Sequence, residues 1–395
     1  MERRNFIRLA GGGIVAAAAA GAAGAFALSP AYPAEAIEAW QGPLSGETDP
    51  RRRALAYAIT APNPHNLQPW IADLRTPGEI TLHTDPKRVL PSTDPQGRQI
   101  LVGHGAFIEL LAIALAQQGL RGDVEMWPQG ELPAALDAWD ARPVARIRLG
   151  ARGDGGAPDP LFAQILRRHT PKVDFDTTKP VSGATLAALL AGAGRGVRCA
   201  GTVDADALPP LRKLCWDSAV VELTTARTVM ESVRLTRIGP GEILAHRDGI
   251  SINSALPRIA SALGQFDRSA PPLPGSPGYT QMMARFAGHS RTAMGFVWLS
   301  TPGNSRTQQV EAGRAYVRLQ LKATELGLGV HPMSQALQEF AEMRPHYEQV
   351  HRALLGRDAP SSAGDETLQM FCRIGYPGDA VVATPRRALR QFERA

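Results

Sequence analysis

Apolar residues recur at helical spacing across residues 98–119 and almost surround the helix axis, which predicts a central, mostly buried helix. A second long helix is predicted over 308–327, with small and apolar residues on one face and Gly327-Leu328-Gly329 closing it. Residues 70–74, 79–83, 144–149 and 295–300 have the short apolar or alternating pattern of strands, and 373–377 read as a last strand running into a turn. Shorter helices are expected at 49–57, 161–169 and 185–193, with one or two more within 208–230. Gly and Asp dominate 150–159, a natural boundary, and 264–280 form a Pro/Gly-rich loop long enough to act as a lid. The order helix, Gly-Leu turn, strand occurs twice, at 110–127 and 316–333, a separation of about 200 residues. This predicts an α+β fold made of two copies of one unit rather than a solenoid.

Composition changes this picture little. A hydrophobic fraction of 44% and a charged fraction of 20% describe a globular chain, and 395 residues suffice for two such units. The formal charge is +6; three arginines against one glutamate in the first 34 residues supply +2 of it, leaving +4. No Lys/Arg run interleaves with aromatics, so nucleic acid is not an expected partner. Cys199, Cys215 and Cys372 form no CxxC pair, the nine histidines are scattered, and no metal site is expected.

The first 34 residues are a separate matter. Arg3-Arg4-Asn5-Phe6 and Arg8 precede a weakly apolar stretch to Leu28, then Ser29-Pro30-Ala31 and Pro33-Ala34, which resembles a twin-arginine export signal. The resemblance implies the twin-arginine translocase as a partner and a periplasmic or other extracytoplasmic location. That route carries folded proteins, often with a cofactor already inserted. Residues 35–48 are expected to link the signal to the folded part.

Three segments carry candidate chemistry. Arg168, His169, Thr170 and Lys172 gather donors suited to a phosphate within five residues. Arg386 and Arg387 repeat that character near the C-terminus. The loop Asn63-Pro64-His65-Asn66-Leu67-Gln68-Pro69-Trp70 offers amides able to bond the edge of a planar heterocycle; read alone, it is equally an amide-capped turn.

Together these segments resemble the FMN-dependent nitroreductase family, in its fused, Acg-like branch. Arg168-His169-Thr170-Pro171-Lys172 followed by Phe175-Asp176 is similar to the family's phosphate motif, and residues 63–70 are similar to its QPW loop beside the flavin ring. Leu326-Gly327-Leu328-Gly329-Val330-His331-Pro332-Met333 is similar to the segment leading to the flavin N5 side. In ordinary members the phosphate motif precedes the QPW loop in one short chain, and two chains share each flavin. Here the loop comes first and the motif follows about 100 residues later. That order implies two nitroreductase-like repeats, 49–150 and 155–395, forming a single-chain pseudo-dimer with one complete site and one vestigial site. A monomer is therefore expected.

The resemblance implies that Arg168, Thr170, Lys172, Arg386 and Arg387 hold the FMN phosphate and ribityl chain, with His169 at the pyrimidine end. It further implies that Asn63, Pro64, Asn66 and Gln68 line the ring, that Met333, Ser334 and Gln335 approach N5, and that 251–290 supply a covering loop. The family's acidic residue followed by Gly is replaced by Ser334-Gln335, and no proton-transferring residue stands out. The implied activity is ping-pong reduction of a nitroaromatic, quinone or similar small acceptor, with NAD(P)H as the family's donor. Export would leave the chain with little NAD(P)H, so a flavin-binding or flavin-sequestering role with little turnover is the alternative.

Overall fold

The computed structural model describes residues 31–151, 158–194, 196–362 and 364–394. The twin-arginine-like stretch, residues 1–30, lies outside the described residues.

The first unit starts with α1 (Pro50–Ala58), where Asp49 accepts a hydrogen bond from the Arg51 amide and Pro50 occupies a first-turn position that has no need of an N–H. Strands β1 (Trp70–Asp73) and β2 (Glu79–Thr84) follow; along β2 alternate residues are buried. Helix α2 (Arg98–Ala116) is buried on all sides, with only Gln99, Ala112 and Ala116 partly exposed. It leads through Gly119 into β3 (Leu120–Met126), and β4 (Ala145–Ala151) ends the unit.

The second unit runs α3 (Gly183–Ala191), β5 (Arg198–Thr202), α4 (Leu208–Thr224) and α5 (Ala226–Arg234), then β6 (Thr236–Ile238), α6 (Gly239–His246), β7 (Ile250–Ile252), α7 (Ala255–Ala262) and α8 (Pro277–Arg291). It closes with β8 (Gly295–Thr301), α9 (Arg306–Glu325), β9 (Gly329–Pro332), α10 (Arg344–Leu355), β10 (Thr367–Gly375) and β11 (Glu393–Arg394).

The two main sheets repeat one plan. The first has the order β11-β1-β2-β4-β3 and the second β5-β8-β10-β9, so β1, β2, β4 and β3 correspond to β5, β8, β10 and β9. Every pairing among those eight strands is antiparallel. In each unit the long helix joins the second and third strands in sequence and ends at a left-handed glycine, Gly119 (φ 73°) or Gly327 (φ 67°). These glycines are 208 positions apart, and the same interval governs the crossing of α2 and α9. A Cβ on Gly105 would lie 1.9 Å from the Val310 carbonyl oxygen, and one on Gly313 would lie 2.0 Å from that of Val102. Val102 and Gly105 plus 208 give Val310 and Gly313, so the contact is reciprocal, as in an isologous interface. Only glycine lets the two backbones meet this closely.

Four regions differ from the sequence-based expectation. Residues 35–48 are no free linker: short 3-10 turns at Ala34–Ala36 and Glu38–Gln41 dock on the fold and bury Ala36 and Ala39. Residues 251–290 are no single covering loop, since β7, α7 and α8 take up most of them. Where the sequence pattern predicts an α-helix over 161–169, a 3-10 helix runs over Pro160–Arg167, and the chain leaves it in extended backbone at Arg168. The C-terminal Glu393–Arg394 leaves the second unit and adds a parallel strand beside β1 in the first sheet.

A cationic cleft between the two units

The loop at 63–70 carries three non-glycine residues in the left-handed region, His65 (φ 47°), Asn66 (φ 53°) and Gln68 (φ 54°). Such backbone costs about 1–3 kcal/mol per residue and persists only where surroundings enforce it. Here the loop's own amides enforce it. Asn63 accepts from the Gln68 amide at 2.8 Å and donates to the Ala61 carbonyl at 3.1 Å. Asn66 donates to the Pro385 carbonyl at 2.9 Å and accepts from the Arg386 guanidinium. Gln68 donates to the carbonyls of Asn66 and Arg247 and accepts from the Arg387 amide at 2.9 Å. The amides expected to read a ring edge are therefore directed inward, where they tie the loop to the C-terminal tail. Pro64 fixes the short 3-10 turn, Pro64–Asn66. His65, which sequence reading passed over, keeps a buried, unpaired Nδ1, and Trp70 at the loop's end keeps a buried, unpaired Nε1.

The motif at 168–172 faces this loop. Arg168 is fully buried and donates to Gln320 Oε1 at 2.7 Å, to the Thr60 carbonyl at 2.8 Å and to Thr170 Oγ1 at 3.5 Å. Arg386 donates to the carbonyls of Thr60 and Ala61 at 3.0 and 3.1 Å. The terminal nitrogens of both arginines are thus engaged by protein, and each keeps one buried, unpaired Nε. Arg387 is held by the Gln68 and Gln391 carbonyls and lies over the Phe392 ring at 4.6 Å. Arg373, on β10, locks the motif's far end: it donates to the carbonyls of Val173 (2.6 Å) and His289 (3.0 Å) and to His331 Nδ1 (2.9 Å), over Phe175 at 4.1 Å. Phe175 packs where side chains on Gly329 and Gly375 would intrude, at 2.9 and 2.5 Å.

Lys172 is the centre of the arrangement. Its side chain is exposed to solvent, while desolvation by the surrounding protein, then Arg285 and Arg386, brings its ammonium down to about 8. Burial, then Lys172, lowers His65 to about 4; burial, then Arg168 and Arg386, lowers His169 to about 4. His289 falls to about 3 through burial, Arg373 and Arg285, and His331 is driven down by the same surroundings. The charges acting on Lys172 are all positive. Neither it nor Arg285 has an ion pair among the described residues, and burial lowers Arg285 as well. Clustered cations without a counter-charge, beside the unpaired donors Arg168 Nε and Arg386 Nε, fit an anionic ligand.

Residues 333–335 are placed differently. Met333 is buried among Leu208, Phe296 and Phe371 of the second unit's core. Ser334 Oγ donates to the Phe371 carbonyl at 3.0 Å and accepts from the Phe371 amide at 3.1 Å. Gln335 lies beside Glu222 of α4 and keeps a buried, unpaired Oε1. Glu222 accepts from Gln338 Nε2 at 2.9 Å, and burial raises its carboxyl to about 7. An acid thus sits beside 334–335 after all. No local pattern could reveal it, because it arrives from a helix more than 100 residues upstream.

A separate cleft of about 840 Å³ is lined by Glu109, Ala112, Asp159, Arg318 and Lys322, among others. By the 208-residue interval its Ala112 corresponds to Gln320, the partner of Arg168. There the charges cancel: Glu109 accepts from Arg314 and Arg318, both at 3.0 Å, Arg318 pairs with Asp159 at 2.7 Å, and Lys322 pairs with Glu325. Although roomy, this cleft has none of the uncompensated charge found around Lys172.

These features define a two-unit α+β protein in which cations at 168–172, Arg285 and Arg386 gather beside the other unit's loop at 63–70. The sequence is 27% identical over 347 residues to "Putative NAD(P)H nitroreductase Rv3131" of Mycobacterium tuberculosis, covering 86% of this chain and 90% of that protein. It is 28% identical over 354 residues to "Putative NAD(P)H nitroreductase acg" of the same organism, covering 87% and 94%. No family model matches. Among solved structures, the FMN-dependent nitroreductase NfnB from Mycobacterium smegmatis, in complex with NADPH, gives a TM-score of 0.37 at 18% identity, over 59% of this chain and 96% of its own. A nitroreductase-like family protein from Bacillus cereus gives 0.31 at 14% identity, over 60% and 95%.

Proposed function

We propose that this chain is an FMN-binding oxidoreductase of the nitroreductase type, a fused pseudo-dimer holding one flavin between the loop at 63–70 and the motif at 168–172. The observation that supports it best is the uncompensated charge of Lys172 and Arg285 opposite a strained loop from the other unit. The full-length similarity to two proteins named as NAD(P)H nitroreductases points the same way.

In this reading Lys172 and Arg285 face the anionic parts of the cofactor, and Arg168 and Arg386 add their field and one Nε donor each. Thr170 stands beside Arg168, and His65 and His169 are held neutral as hydrogen-bonding groups. Arg373 positions the motif, while Asn63, Asn66 and Gln68 hold the loop's shape rather than bond the ring. Glu222, through Gln335, is the nearest candidate for holding a proton beside 334–335. Bound flavin would supply the electron transfer to a nitroaromatic, quinone or similar acceptor; the protein's part is binding, orientation and electrostatics. The charge-cancelled cleft lined by Glu109 and Arg318 is the vestigial second site, and residues 1–34 export the folded protein by the twin-arginine route.

The test is the visible spectrum of the purified chain after FMN addition and desalting. One flavin per chain is expected in the wild type and none in Lys172→Ala. Absence of a flavin band in the wild type would overturn the proposal. Anaerobic mixing with NADH and NADPH then separates a reductase, whose flavin bleaches, from a protein that only sequesters flavin.

A further inference from the structure

The segment at 31–41, which sequence reading assigned to the end of the signal and a linker, reaches into the cleft. The indole of Trp40 has the Arg168 guanidinium at 5.5 Å and that of Arg386 at 5.3 Å from its ring centroid, and it meets the His169 ring edge-on at 4.4 Å. Its Nε1 donates to the Thr384 carbonyl at 2.8 Å, and the Arg386 amide donates to the Ala36 carbonyl at 2.8 Å. Upstream, Tyr32 donates to the Ser251 carbonyl at 3.3 Å, Asn253 donates to the Ala31 carbonyl at 2.6 Å, and Glu38 pairs with Arg247 at 2.7 Å. The segment is thus tied to the C-terminal tail, to the β7 region and to the motif at 168–172.

We propose that residues 31–41 are a fixed strap, and that Trp40 is a cofactor-site residue which seals the cleft over Arg168 and Arg386 and slows release of the bound cofactor. The proposal rests on the flavin reading above. Arg168 and Arg386 both donate to the single carbonyl of Thr60, so two like charges are packed side by side, and neither has a carboxylate partner among the described residues. Besides that carbonyl, the quadrupole of the Trp40 ring attracts both. It also excludes water, and the field of buried cations on an anion is stronger in a drier site. Without the indole, water would enter and the guanidinium groups would turn toward it, leaving Lys172 and Arg285 to hold the anion alone.

The experiment measures FMN dissociation from the full chain by the recovery of free-flavin fluorescence. Trp40→Leu, which keeps apolar volume without a π face, should release FMN at least tenfold faster than wild type, and Trp40→Phe should restore most of the difference. Rates within twofold of wild type in Trp40→Leu, or slower, overturn the strap. Should Trp40→Leu not fold, Tyr32→Phe combined with Glu38→Ala loosens the strap without touching the ring; release at the wild-type rate in that variant overturns it equally. A wild type that binds no FMN would instead remove the flavin reading itself.

Discussion

The crossing of α2 and α9 gives the sharpest quantitative prediction. In Gly105→Ala the new methyl would stand 1.9 Å from the Val310 carbonyl oxygen, where ordinary contact begins at 3.4 Å. The obstacle is backbone, which cannot rotate aside, so the helices must part by about 1.5 Å at that point. Overpacking of this kind costs about 3 kcal/mol, at the upper end of its usual range, and helix propensity returns about 1 kcal/mol. A net loss of about 2 kcal/mol is expected, a drop of about 3 °C in Tm for a chain of this length. Gly313→Ala should match it, because its methyl would stand 2.0 Å from the Val102 carbonyl. The informative variant is the double. One separation of the helices relieves both clashes while each alanine returns its own helix propensity, so the pair should lose about 1 kcal/mol instead of about 4, a coupling well above the usual error in additivity. Flavin affinity should fall together with stability. The loop at 63–70 rides on α2, with Asn63 Cβ 3.3 Å from where a Gly103 Cβ would be, whereas Arg168 is bonded to Gln320 on α9. Thermal melts and FMN titrations of the three variants check this. Strict additivity of the two singles would refute a shared, reciprocal contact.

Arg373→Ala should cost about 3 kcal/mol or more in urea unfolding and release the flavin, since it strips buried carbonyls of their donor; Arg373→Lys should rescue little, because one ammonium cannot replace the fork. Glu222→Gln tests the raised carboxyl. A folded value of about 7 against an ordinary 4.5 means that stability is complete below about 4.5 and falls as pH rises toward 7. The loss is at most about 3 kcal/mol, so the variant should match wild type at pH 5 and exceed it at pH 8 in denaturant titrations. Gln68→Ala unties the tail, and trypsin cutting after Arg386 or Arg387 should speed up at least tenfold in a gel time course.

Much of the fold was legible because its signals are local. The periodicity at 98–119 and 308–327 and the two Gly-Leu turns mark α2, α9 and the repeat, and the observed helices, Arg98–Ala116 and Arg306–Glu325, differ only at their ends. The site was legible as segments but not as contacts. Asn66 and Gln68 have the composition of ligand-reading amides, and nothing near them in sequence shows that Pro385, Arg387 and Arg247 would claim them. Arg168 and Arg386 look free in sequence, yet Thr60, Ala61 and Gln320 engage their terminal nitrogens in space. Arg285 sits on an unremarkable amphipathic helix, and Trp40 lies in a stretch whose Pro, Gly and Glu content signals a linker. Each owes its place to a partner on a distant part of the chain.

The joining of both units in one polypeptide has a consequence for where such a protein can work. A cleft built from two separate chains comes apart when its subunits are diluted, and its ligand occupancy then depends on protein concentration. Here residues 63–70 and 168–172 meet at a local concentration set by the intervening chain, however few molecules surround it. Occupancy of the cleft should follow free ligand alone, at nanomolar protein as at micromolar. A folded chain released into a large, dilute compartment would keep its cleft assembled.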